Sequence, residues 1–385
     1  MSAVISPAAV NNISPTENQD DIKVMIVDDS VVVRGLVSSW VDQEDGMYCA
    51  QKCSNGAVAV EKIAEVRPDV VILDIEMPVM DGIEALPKLL KLSPNTTVIM
   101  ASTLTQRNAE ISLKAMSLGA ADYVAKPTSN SGVSTSSAFR SDLLGKVTAL
   151  GQKNRKNKTA RLVRATKSAT RGVQKTSAAS VEQQEYSLRP FSTSRPKVLA
   201  IGSSTGGPPA MMKLVEQIGP AIKQVPVLVT QHMPATFTSI FAGHLARSSG
   251  FPAAEGVDGE QVVPGKIYVA PGGKHMIVER RGAIPTIRLT DGPEVNYCKP
   301  AVDPMFESLV KIYGPSVLAT VLTGMGTDGA NGAVKIADAG GSVLAQDEQS
   351  SVVWGMPGAT AKAGACSAVL KVDEIAAKIK RIIQG

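Results

Sequence analysis

The 385-residue sequence has no long hydrophobic run, few aromatic residues and little cysteine. Its longest apolar runs, such as residues 70–73 and 225–229, are only as long as a strand. A helix that crosses a membrane needs about 20 apolar residues, so we expect no membrane insertion. The first 20 residues lack a basic start followed by an apolar segment. We therefore predict a disordered tail over residues 1–20 rather than a secretory signal.

Cysteine is scarce and scattered. Cys49, Cys53, Cys298 and Cys366 form no paired framework, and no second Cys or His pair completes a zinc site around the first two. We interpret all four as reduced thiols, which indicates a cytoplasmic protein.

Positive charge is concentrated in one segment. Between residues 128 and 197, fourteen Lys and Arg accompany three Asp and Glu, so this segment carries +11 while the whole chain carries +5. Nucleic acid is a possible partner for such a segment. It has only three aromatic residues, however, and no helix-turn-helix pattern is apparent in the chain. We favour a solvated linker and expect no nucleic-acid partner.

Strand-like and helix-like stretches alternate on both sides of the basic segment. Five such units before it predict an N-terminal α/β domain with a five-stranded parallel sheet, covered by helices on both faces. The stretches after it predict a larger, doubly wound α/β domain with a mostly parallel sheet. We place the first domain at 21–139, a basic flexible linker at 140–194 and the second domain at 195–385. Within the linker we expect one short helix at 141–150, followed by a flexible tether.

Acidic residues end two predicted strands of the first domain, and a lysine ends a third. Asp28 and Asp29 follow one strand, Asp74 ends another, and Lys126 ends the last. The carboxyl ends of parallel strands line one crevice, so we expect these groups to meet. Crowded carboxylates repel unless a cation is present, and Mg²⁺ suits oxygen ligands. Such a pocket can use a carboxylate as a nucleophile toward phosphorus, although acids that merely cap turns are the alternative.

Four motifs, "VDDS", "LDIEMPVMDG", "ASTLT" and "YVAKP", follow one another in this order. With them the sequence resembles the receiver domain of two-component response regulators. The resemblance implies that Asp74 is the phosphoacceptor and that Mg²⁺ is held by Asp28, Asp29, Asp74 and the backbone carbonyl of Glu76. It also implies a chemotaxis histidine kinase as phosphodonor. The switch positions that it assigns are Ser102 for the hydroxyl, Tyr123 for the aromatic ring and Lys126 for the final motif.

A candidate nucleophile lies in the second domain. Gly202, Ser204 and Gly206 have the G-x-S-x-G spacing of a tight strand-to-helix turn that projects a serine. The glycines let backbone N–H groups approach a developing oxyanion, and the helix N-terminus adds positive potential. Ser203 is a rival, but it occupies the x position and should point elsewhere, so Ser204 is preferred. A phosphate-binding or purely conformational turn is the alternative.

A serine nucleophile needs a base, and the chain has only three histidines. His244 shares a helical face with apolar residues, which favours a structural role. His275 lies near a glycine turn and is not excluded. His232 directly follows an apolar strand, at the same sheet edge as Ser204, and is the best candidate.

The segment "LTGMGTDGA" also follows a strand and brings Asp328 to this edge. A carboxylate there can hold the tautomer of His232 and stabilise the imidazolium formed in proton transfer. The glycines of the segment match the G-x-G-x-x-G spacing of a dinucleotide-binding turn, and Asp347 resembles a ribose-binding acid. Few residues follow Asp347, however, and an acid inside the turn would repel pyrophosphate. We therefore prefer the orienting role for Asp328.

The motifs "GSSTGGP", "QHMP", "APGG.HM" and "LTGMG.DG" resemble the catalytic domain of chemotaxis protein-glutamate methylesterases. With the receiver in front, the chain is identified as a member of that family. The resemblance implies hydrolysis of glutamate methyl esters on methylated chemoreceptors with release of methanol, often deamidation of receptor glutamines, and no cofactor for the esterase chemistry. It assigns Ser204 as nucleophile, His232 as base and Asp328 as orienting acid. It also places Thr205 and the Met325 backbone beside the reacting carbonyl.

A receiver joined to a hydrolase predicts control by phosphorylation. We expect the unphosphorylated receiver to pack over the Ser204 crevice. Phosphorylation of Asp74 would draw Ser102 inward, rotate Tyr123 and weaken that packing. Two alternatives remain at this stage. One is a non-catalytic response regulator with a protein- or nucleic-acid-binding output domain, and the other is a dehydrogenase.

Overall fold

The computed structural model describes residues 20–127, 136–169 and 186–385, and it gives side chains up to residue 155 in the middle segment. Apart from Asp20, the tail predicted at 1–20 lies outside the described residues. The part of the predicted linker at 170–185 also lies outside them. Two α/β units are present, an N-terminal unit up to residue 155 and a C-terminal unit from residue 186, each with its own parallel sheet. In the described part of the chain, no helix has the length and apolar character needed to cross a membrane.

The N-terminal unit is a five-stranded sheet in the order β2-β1-β3-β4-β5, with every neighbouring pair parallel. Its strands are β1 Ile22–Val27, β2 Met47–Cys53, β3 Val70–Asp74, β4 Thr97–Thr103 and β5 Asp122–Lys126. Its first helices are α1 Val31–Asp42, α2 Gly56–Val66, α3 Gly82–Leu92 and α4 Gln106–Ser117. Each of these helices begins at a side-chain cap, which satisfies a free N–H of the first turn. The strand order reverses between β1 and β3, so the crevice opens at their carboxyl ends.

The next helix, α5, spans Ser137–Ala169 and is longer than the short helix that the sequence predicts at 141–150. Its first turns pack on the N-terminal sheet through buried apolar side chains, namely Phe139, Leu143, Leu144, Val147 and Leu150. Asn154 continues this contact, because its amide donates to Asp69 O at 2.7 Å and Thr97 Oγ1 at 2.8 Å. The tether predicted after Gly151 is therefore helical as far as residue 169. Apolar periodicity misses this part because it is rich in Lys, Arg and Ala, which form helices well without an apolar stripe.

The C-terminal unit is built on a seven-stranded parallel sheet in the order β14-β13-β12-β6-β7-β9-β8. These strands are β6 Val198–Ser203, β7 Val227–Gln231, β8 Ala253–Glu255, β9 Ile267–Val269, β12 Val317–Val321, β13 Ser342–Gln346 and β14 Ala368–Leu370. The helices are α6 Gly207–Ile222, α7 Ala235–Ser249, α8 Val302–Tyr313, α9 Ala330–Asp338, α10 Met356–Lys362 and α11 Val372–Gln384. The order reverses between β6 and β12, so the second crevice opens at their carboxyl ends. The predicted fold class is confirmed for both units.

The sequence prediction misses several elements of the C-terminal unit. An antiparallel hairpin, β10 His275–Arg281 and β11 Ile284–Thr290, lies outside the main sheet. The edge strands β8 and β14 are only three residues long, which is too short to show a periodicity. The helices α10 and α11 near the C-terminus are also absent from the prediction.

The two units contact each other directly. Tyr123 in β5 stacks on Phe237 in α7, with ring centroids 4.3 Å apart and planes 7° from parallel. Val352 and Val353, beyond β13, pack against the buried apolar cluster of the N-terminal unit. The Lys153 ammonium in α5 also donates to the backbone carbonyl of Ser351. These contacts place the β5 and α5 side of the N-terminal unit against the C-terminal unit.

Candidate active site and phosphoacceptor pocket

The two serines that end β6 have different environments. Ser203 is fully buried, and its hydroxyl donates to Gln231 Oε1 at 2.6 Å. Ser204 is half-buried, its N–H donates to Thr323 O at 3.0 Å, and its carbonyl accepts from Gln231 Nε2 at 2.9 Å. The backbone of Ser204 is thus held by residues at the ends of both neighbouring strands, while its side chain is less buried than that of Ser203. This arrangement supports the preference for Ser204 over Ser203.

The loop after β12 lies tight against Ser204. A β-carbon at Gly324 would lie 2.9 Å from Ser204 Cβ and 2.3 Å from Met356 Sδ, so only glycine allows this approach. Gly206 adopts a left-handed φ of 72° at the start of α6, a conformation that glycine adopts without strain. The predicted glycine turns therefore bring the ends of β6 and β12 together.

His232 and Asp328 are in direct contact. His232 follows β7, and its Nε2 lies 2.7 Å from Asp328 Oδ2. Only 1% of the Asp328 surface is exposed. Its carboxylate accepts three backbone N–H bonds, from Val302 at 2.6 Å, Asp303 at 3.1 Å and Gly329 at 3.0 Å. Two of these donors belong to the first turn of α8, where the helix dipole stabilises an anion.

The electrostatics favour an imidazolium–carboxylate pair. Burial lowers the pKa of His232, but the hydrogen bond with Asp328 and the contact with Cys298 outweigh it and raise the pKa to about 9. Burial raises the pKa of Asp328, but the His232 contact and the backbone donors dominate and hold that pKa below its usual range. Asp328 is therefore suited to stabilise a protonated imidazole.

Two backbone amides near Ser204 are available to a ligand. Within residues 20–127, 136–169 and 186–385, no acceptor takes a hydrogen bond from the N–H of Thr205 or of Met325. The first of these amides follows Ser204 directly, which is the position that supplies an oxyanion donor in serine hydrolases of the G-x-S-x-G type. The second lies in the loop that packs on Ser204. That Thr205 and Met325 lie beside a reacting carbonyl stays a prediction.

The other histidines are engaged elsewhere. His275 is buried, its Nε2 pairs with Pro293 O at 2.9 Å, and its Nδ1 accepts from the Ala301 N–H at 3.2 Å. Both of its ring nitrogens therefore bind backbone, which favours a structural role. His244 lies on α7, where burial and the neighbouring Arg247 lower its pKa while Glu110 acts to raise it.

Two side chains at this site are absent from the sequence prediction. Cys298 Sγ lies 3.3 Å from His232 Nδ1, on the side of the ring opposite Asp328. Asn296 donates through Nδ2 to Asp328 Oδ1 at 3.1 Å and to Asp303 Oδ2 at 3.2 Å. Both belong to a loop between β11 and α8, where no strand end or glycine motif marks them. The only sequence signal is Asn296 itself, since asparagine adopts left-handed turn conformations more readily than most residues.

The acidic residues and the lysine at the strand ends of the N-terminal unit lie together in one pocket. Lys126 Nζ lies 2.7 Å from Asp74 Oδ1 and 3.0 Å from Asp28 Oδ2. One oxygen each from Asp28, Asp29 and Asp74 lies within 4.8 Å of the others. Glu76 is exposed and lines the cleft beside Asp29. An all-oxygen donor set of this kind fits Mg²⁺.

The buried position of Asp74 perturbs its carboxyl group. Burial raises the pKa of Asp74 to about 6, with Lys126 acting to lower it and Asp28 to raise it. Ser102 is buried, and its hydroxyl lies 3.0 Å from Ser112 Oγ in α4. Since Ser112 donates to Asn108 O at 2.7 Å, Ser102 is the donor to Ser112. The Ser102 hydroxyl is thus hydrogen-bonded to α4, and the Tyr123 ring packs against the C-terminal unit.

Taken together, the folds and side chains define the class of protein: an α/β unit with a receiver-type acidic pocket, joined to a second α/β unit whose crevice holds a histidine–aspartate pair. A family model described as CheB methylesterase matches residues 199–379, and one described as response regulator receiver domain matches residues 24–135. A protein-glutamate methylesterase/protein-glutamine glutaminase of Nitrobacter hamburgensis is 53% identical over 383 residues, covering 100% of this chain and 98% of that protein. A relative with the same name from Rhodopseudomonas palustris is 52% identical over 382 residues, covering 99% of each. The chain belongs to the CheB methylesterase family and carries the receiver domain.

Solved structures resemble the two units separately. The CheB methylesterase catalytic domain of Thermotoga maritima is 35% identical and covers 49% of this chain and 100% of that one, with a TM-score of 0.47. The response regulator domain of Thermotoga maritima CheB is 38% identical and covers 33% of this chain and 93% of that one, with a TM-score of 0.30.

Proposed function

We propose that this chain hydrolyses glutamate methyl esters of chemoreceptors through Ser204, His232 and Asp328, under the control of phosphorylation at Asp74. One observation carries the proposal: the 2.7 Å contact between His232 and Asp328, at the same edge of the sheet as Ser204. Family membership supports it, because the relatives are named for this activity. The match of residues 199–379 to an enzyme family removes the support for a non-catalytic output domain or a dehydrogenase.

Acylation would use Ser204, His232 and the two backbone amides. The Ser204 hydroxyl attacks the ester carbonyl carbon, and its proton passes to His232 Nδ1, because Nε2 is held by Asp328. The oxygen of the tetrahedral intermediate would accept hydrogen bonds from the N–H groups of Thr205 and Met325. When the intermediate collapses, the C–O bond to the methoxy group breaks and His232 returns the proton to it. Methanol leaves, and the glutamyl group stays as an ester on Ser204.

Deacylation repeats these steps with water. His232 Nδ1 takes a proton from water, the hydroxide attacks the glutamyl–serine ester, and the Ser204 oxygen leaves with the proton returned by His232. The product is the free glutamate side chain. A glutamine side chain presented in the same way would release ammonia in the first stage, which is the second activity in the relatives' name. No step requires a cofactor.

The phosphoacceptor pocket supplies the control. The Asp74 carboxylate attacks the phosphorus of a histidine-kinase or small-molecule phosphodonor, and Lys126 stabilises the phosphoryl oxygens. Asp28, Asp29, Asp74 and the Glu76 carbonyl would hold Mg²⁺, which when bound neutralises charge between the carboxylates and the phosphoryl group. The bond between Ser102 and Ser112 and the outward position of Tyr123 fit the unphosphorylated state.

The inhibited state follows from contacts at the crevice rim. A β-carbon at Gly145 in α5 would lie 3.3 Å from Met325 Cε, so the receiver's last helix packs on this candidate oxyanion residue. Burial raises the pKa of Asp122 at the start of β5, and the Thr205 hydroxyl lies close enough to that carboxyl to act in the lowering direction. Both neighbours of Ser204 thus contact the receiver, so a receptor helix and the receiver compete for one surface.

The Tyr123–Phe237 stack gives a test of this inhibition. Replacing Tyr123 by alanine should raise methanol release by the unphosphorylated chain about fivefold, because an aromatic pair contributes about 1 kcal/mol beyond its buried area. Tyr123→Phe is the matched control, since it retains the ring and should behave like wild type. Equal rates for the two variants would argue against the stack as a restraint. The measurement is the initial rate without a phosphodonor.

The pH dependence of the reaction tests the roles of His232 and Asp328. His232 must be neutral to accept a proton. Because its pKa is raised to about 9, the neutral ring becomes abundant only at higher pH. The rate of the phosphorylated chain should therefore still rise with pH above the ordinary imidazole value of about 6.5. In Asp328→Asn the imidazolium loses its carboxylate, so this rise should move to lower pH while the maximal rate falls about 10⁴-fold. A profile of kcat/KM against pH for both proteins measures this, and an unchanged rise in the variant would contradict the pairing.

The function as a whole is tested by methanol release from membranes that carry methylated chemoreceptors. Wild type and Ser204→Ala are compared with and without acetyl phosphate and Mg²⁺. We expect release by wild type alone, faster with the phosphodonor. Binding of NAD by the chain, with no methanol release, would instead favour the dehydrogenase.

A further inference from the structure

The ring nitrogen of His232 that must accept a proton is already in contact with another side chain. Asp328 binds Nε2, and Cys298 Sγ lies 3.3 Å from Nδ1. Across the described parts of the chain, no hydrogen bond joins Ser204 to His232. The thiol therefore lies against the ring nitrogen that accepts the Ser204 proton in the reaction described above.

The turn that carries Cys298 is built to hold it there. Val295 and Cys298 exchange two backbone hydrogen bonds, of 3.1 and 3.0 Å, around a two-residue turn. Both central residues have left-handed backbones, with φ of 52° at Asn296 and 61° at Tyr297. A bulky residue such as Tyr297 rarely adopts this conformation unless its surroundings impose it.

Asn296 connects the same turn to the acid. Its amide donates to Asp328 Oδ1 at 3.1 Å and to Asp303 Oδ2 at 3.2 Å, which fixes the turn against the start of α8. The Tyr297 side chain is 96% exposed and makes no packing contribution to the turn. One short turn thus contacts the carboxylate of the pair through Asn296 and the imidazole through Cys298.

We propose that Cys298 is a positioning residue, whose thiol holds the imidazole of His232 in the ring orientation and tautomer that leave Nδ1 ready for the Ser204 proton. This inference rests on the proposed function of His232 as the base. A thiol is only a weak hydrogen-bond partner, as donor or as acceptor, so it orients the ring and still yields Nδ1 to a stronger partner such as the Ser204 hydroxyl. Burial acts to lower the pKa of His232, whereas Asp328 and the Cys298 sulfur, which can accept from the protonated Nδ1, raise it.

The test compares Cys298→Ala, Cys298→Ser and a control thiol, Cys49→Ser, in the full-length chain. The Cys49 thiol lies in the N-terminal unit, far along the chain from the esterase crevice. With acetyl phosphate and Mg²⁺, we expect Cys298→Ala to lower kcat for methanol release about 5- to 10-fold with KM unchanged, because one hydrogen bond to the base is lost. Cys298→Ser retains a donor and should recover most of kcat, and Cys49→Ser should match wild type.

A second readout does not depend on the esterase. The chain has three histidines, so ¹⁵N-histidine spectra resolve the ring signals of His232 in each variant. Asp328, Cys298 and the nearby Asp303 are the titratable groups on the elements around this ring. We expect the His232 titration, and with it the acid side of the rate profile, to move to lower pH in Cys298→Ala and to return toward wild type in Cys298→Ser.

Each outcome decides the proposal. A Cys298→Ala variant with wild-type kcat and an unchanged His232 titration would overturn it. Equal losses in the alanine and serine variants, with the titration unchanged, would also overturn it, because they would reflect packing alone. If wild type itself released no methanol, the proposed function would fail, while the titration would still report whether Cys298 governs the imidazole.

Discussion

Replacing Ser204 by alanine is expected to lower methanol release by about 10³-fold or more, with or without the phosphodonor. Alanine removes the oxygen that would form the ester with the glutamyl group, so the covalent route is closed. The backbone of Ser204 is held by Thr323 and Gln231, and these bonds do not involve the side-chain oxygen. The variant should therefore fold, bind receptors and accept phosphate at Asp74 normally.

Ser203→Ala provides the matched control for this prediction. Its hydroxyl is buried against Gln231, away from the crevice rim, so its loss should leave most of the activity. Initial rates of methanol release for the two variants measure the difference. An inactive Ser203→Ala beside an active Ser204→Ala would reverse the assignment of the nucleophile.

Replacing Asp74 by asparagine is expected to abolish the uptake of phosphate from acetyl phosphate and the stimulation of methanol release. Asparagine has nearly the same shape but lacks the carboxylate that attacks phosphorus, and it leaves Lys126 without one of its two partners. Basal methanol release should persist, because the esterase site is unaltered. Labelling with radioactive acetyl phosphate, followed by the methanol assay, measures both effects.

Asp81→Asn is a suitable control because it removes a charge from the same cleft. Asp81 caps α3 by accepting the Glu84 N–H at 2.8 Å, and asparagine is an equally good cap. We expect labelling of this variant to match wild type. Labelling of Asp74→Asn at the wild-type rate would rule out Asp74 as the acceptor.

The residues found from sequence share one property, which is that they lie at or beyond the carboxyl ends of strands in parallel sheets. Asp74, Ser204, His232 and Asp328 each follow or close an apolar run, and the carboxyl ends of such strands meet whatever the connecting helices do. Their roles in catalysis and phosphorylation stay predictions. Their positions follow from the strand pattern alone.

What the sequence does not show depends on contacts between distant segments. Asn296 and Cys298 lie in a loop without periodicity, and only the packing of that loop on α8 and β7 brings them to the histidine–aspartate pair. The Tyr123–Phe237 stack joins two domains, so neither half carries a signal for it. The long α5 is hidden for a different reason, since a polar helix has no apolar stripe to detect.

At two positions beside Ser204, the backbone amide and the side chain of the same residue face different tasks. At Thr205 and Met325 the atoms suited to stabilise charge belong to the backbone, which every residue except proline supplies. Their side chains point instead toward Asp122 and Gly145 of the receiver. Under the proposed function, we expect substitutions at these two positions to change how tightly the receiver restrains the enzyme without removing either amide.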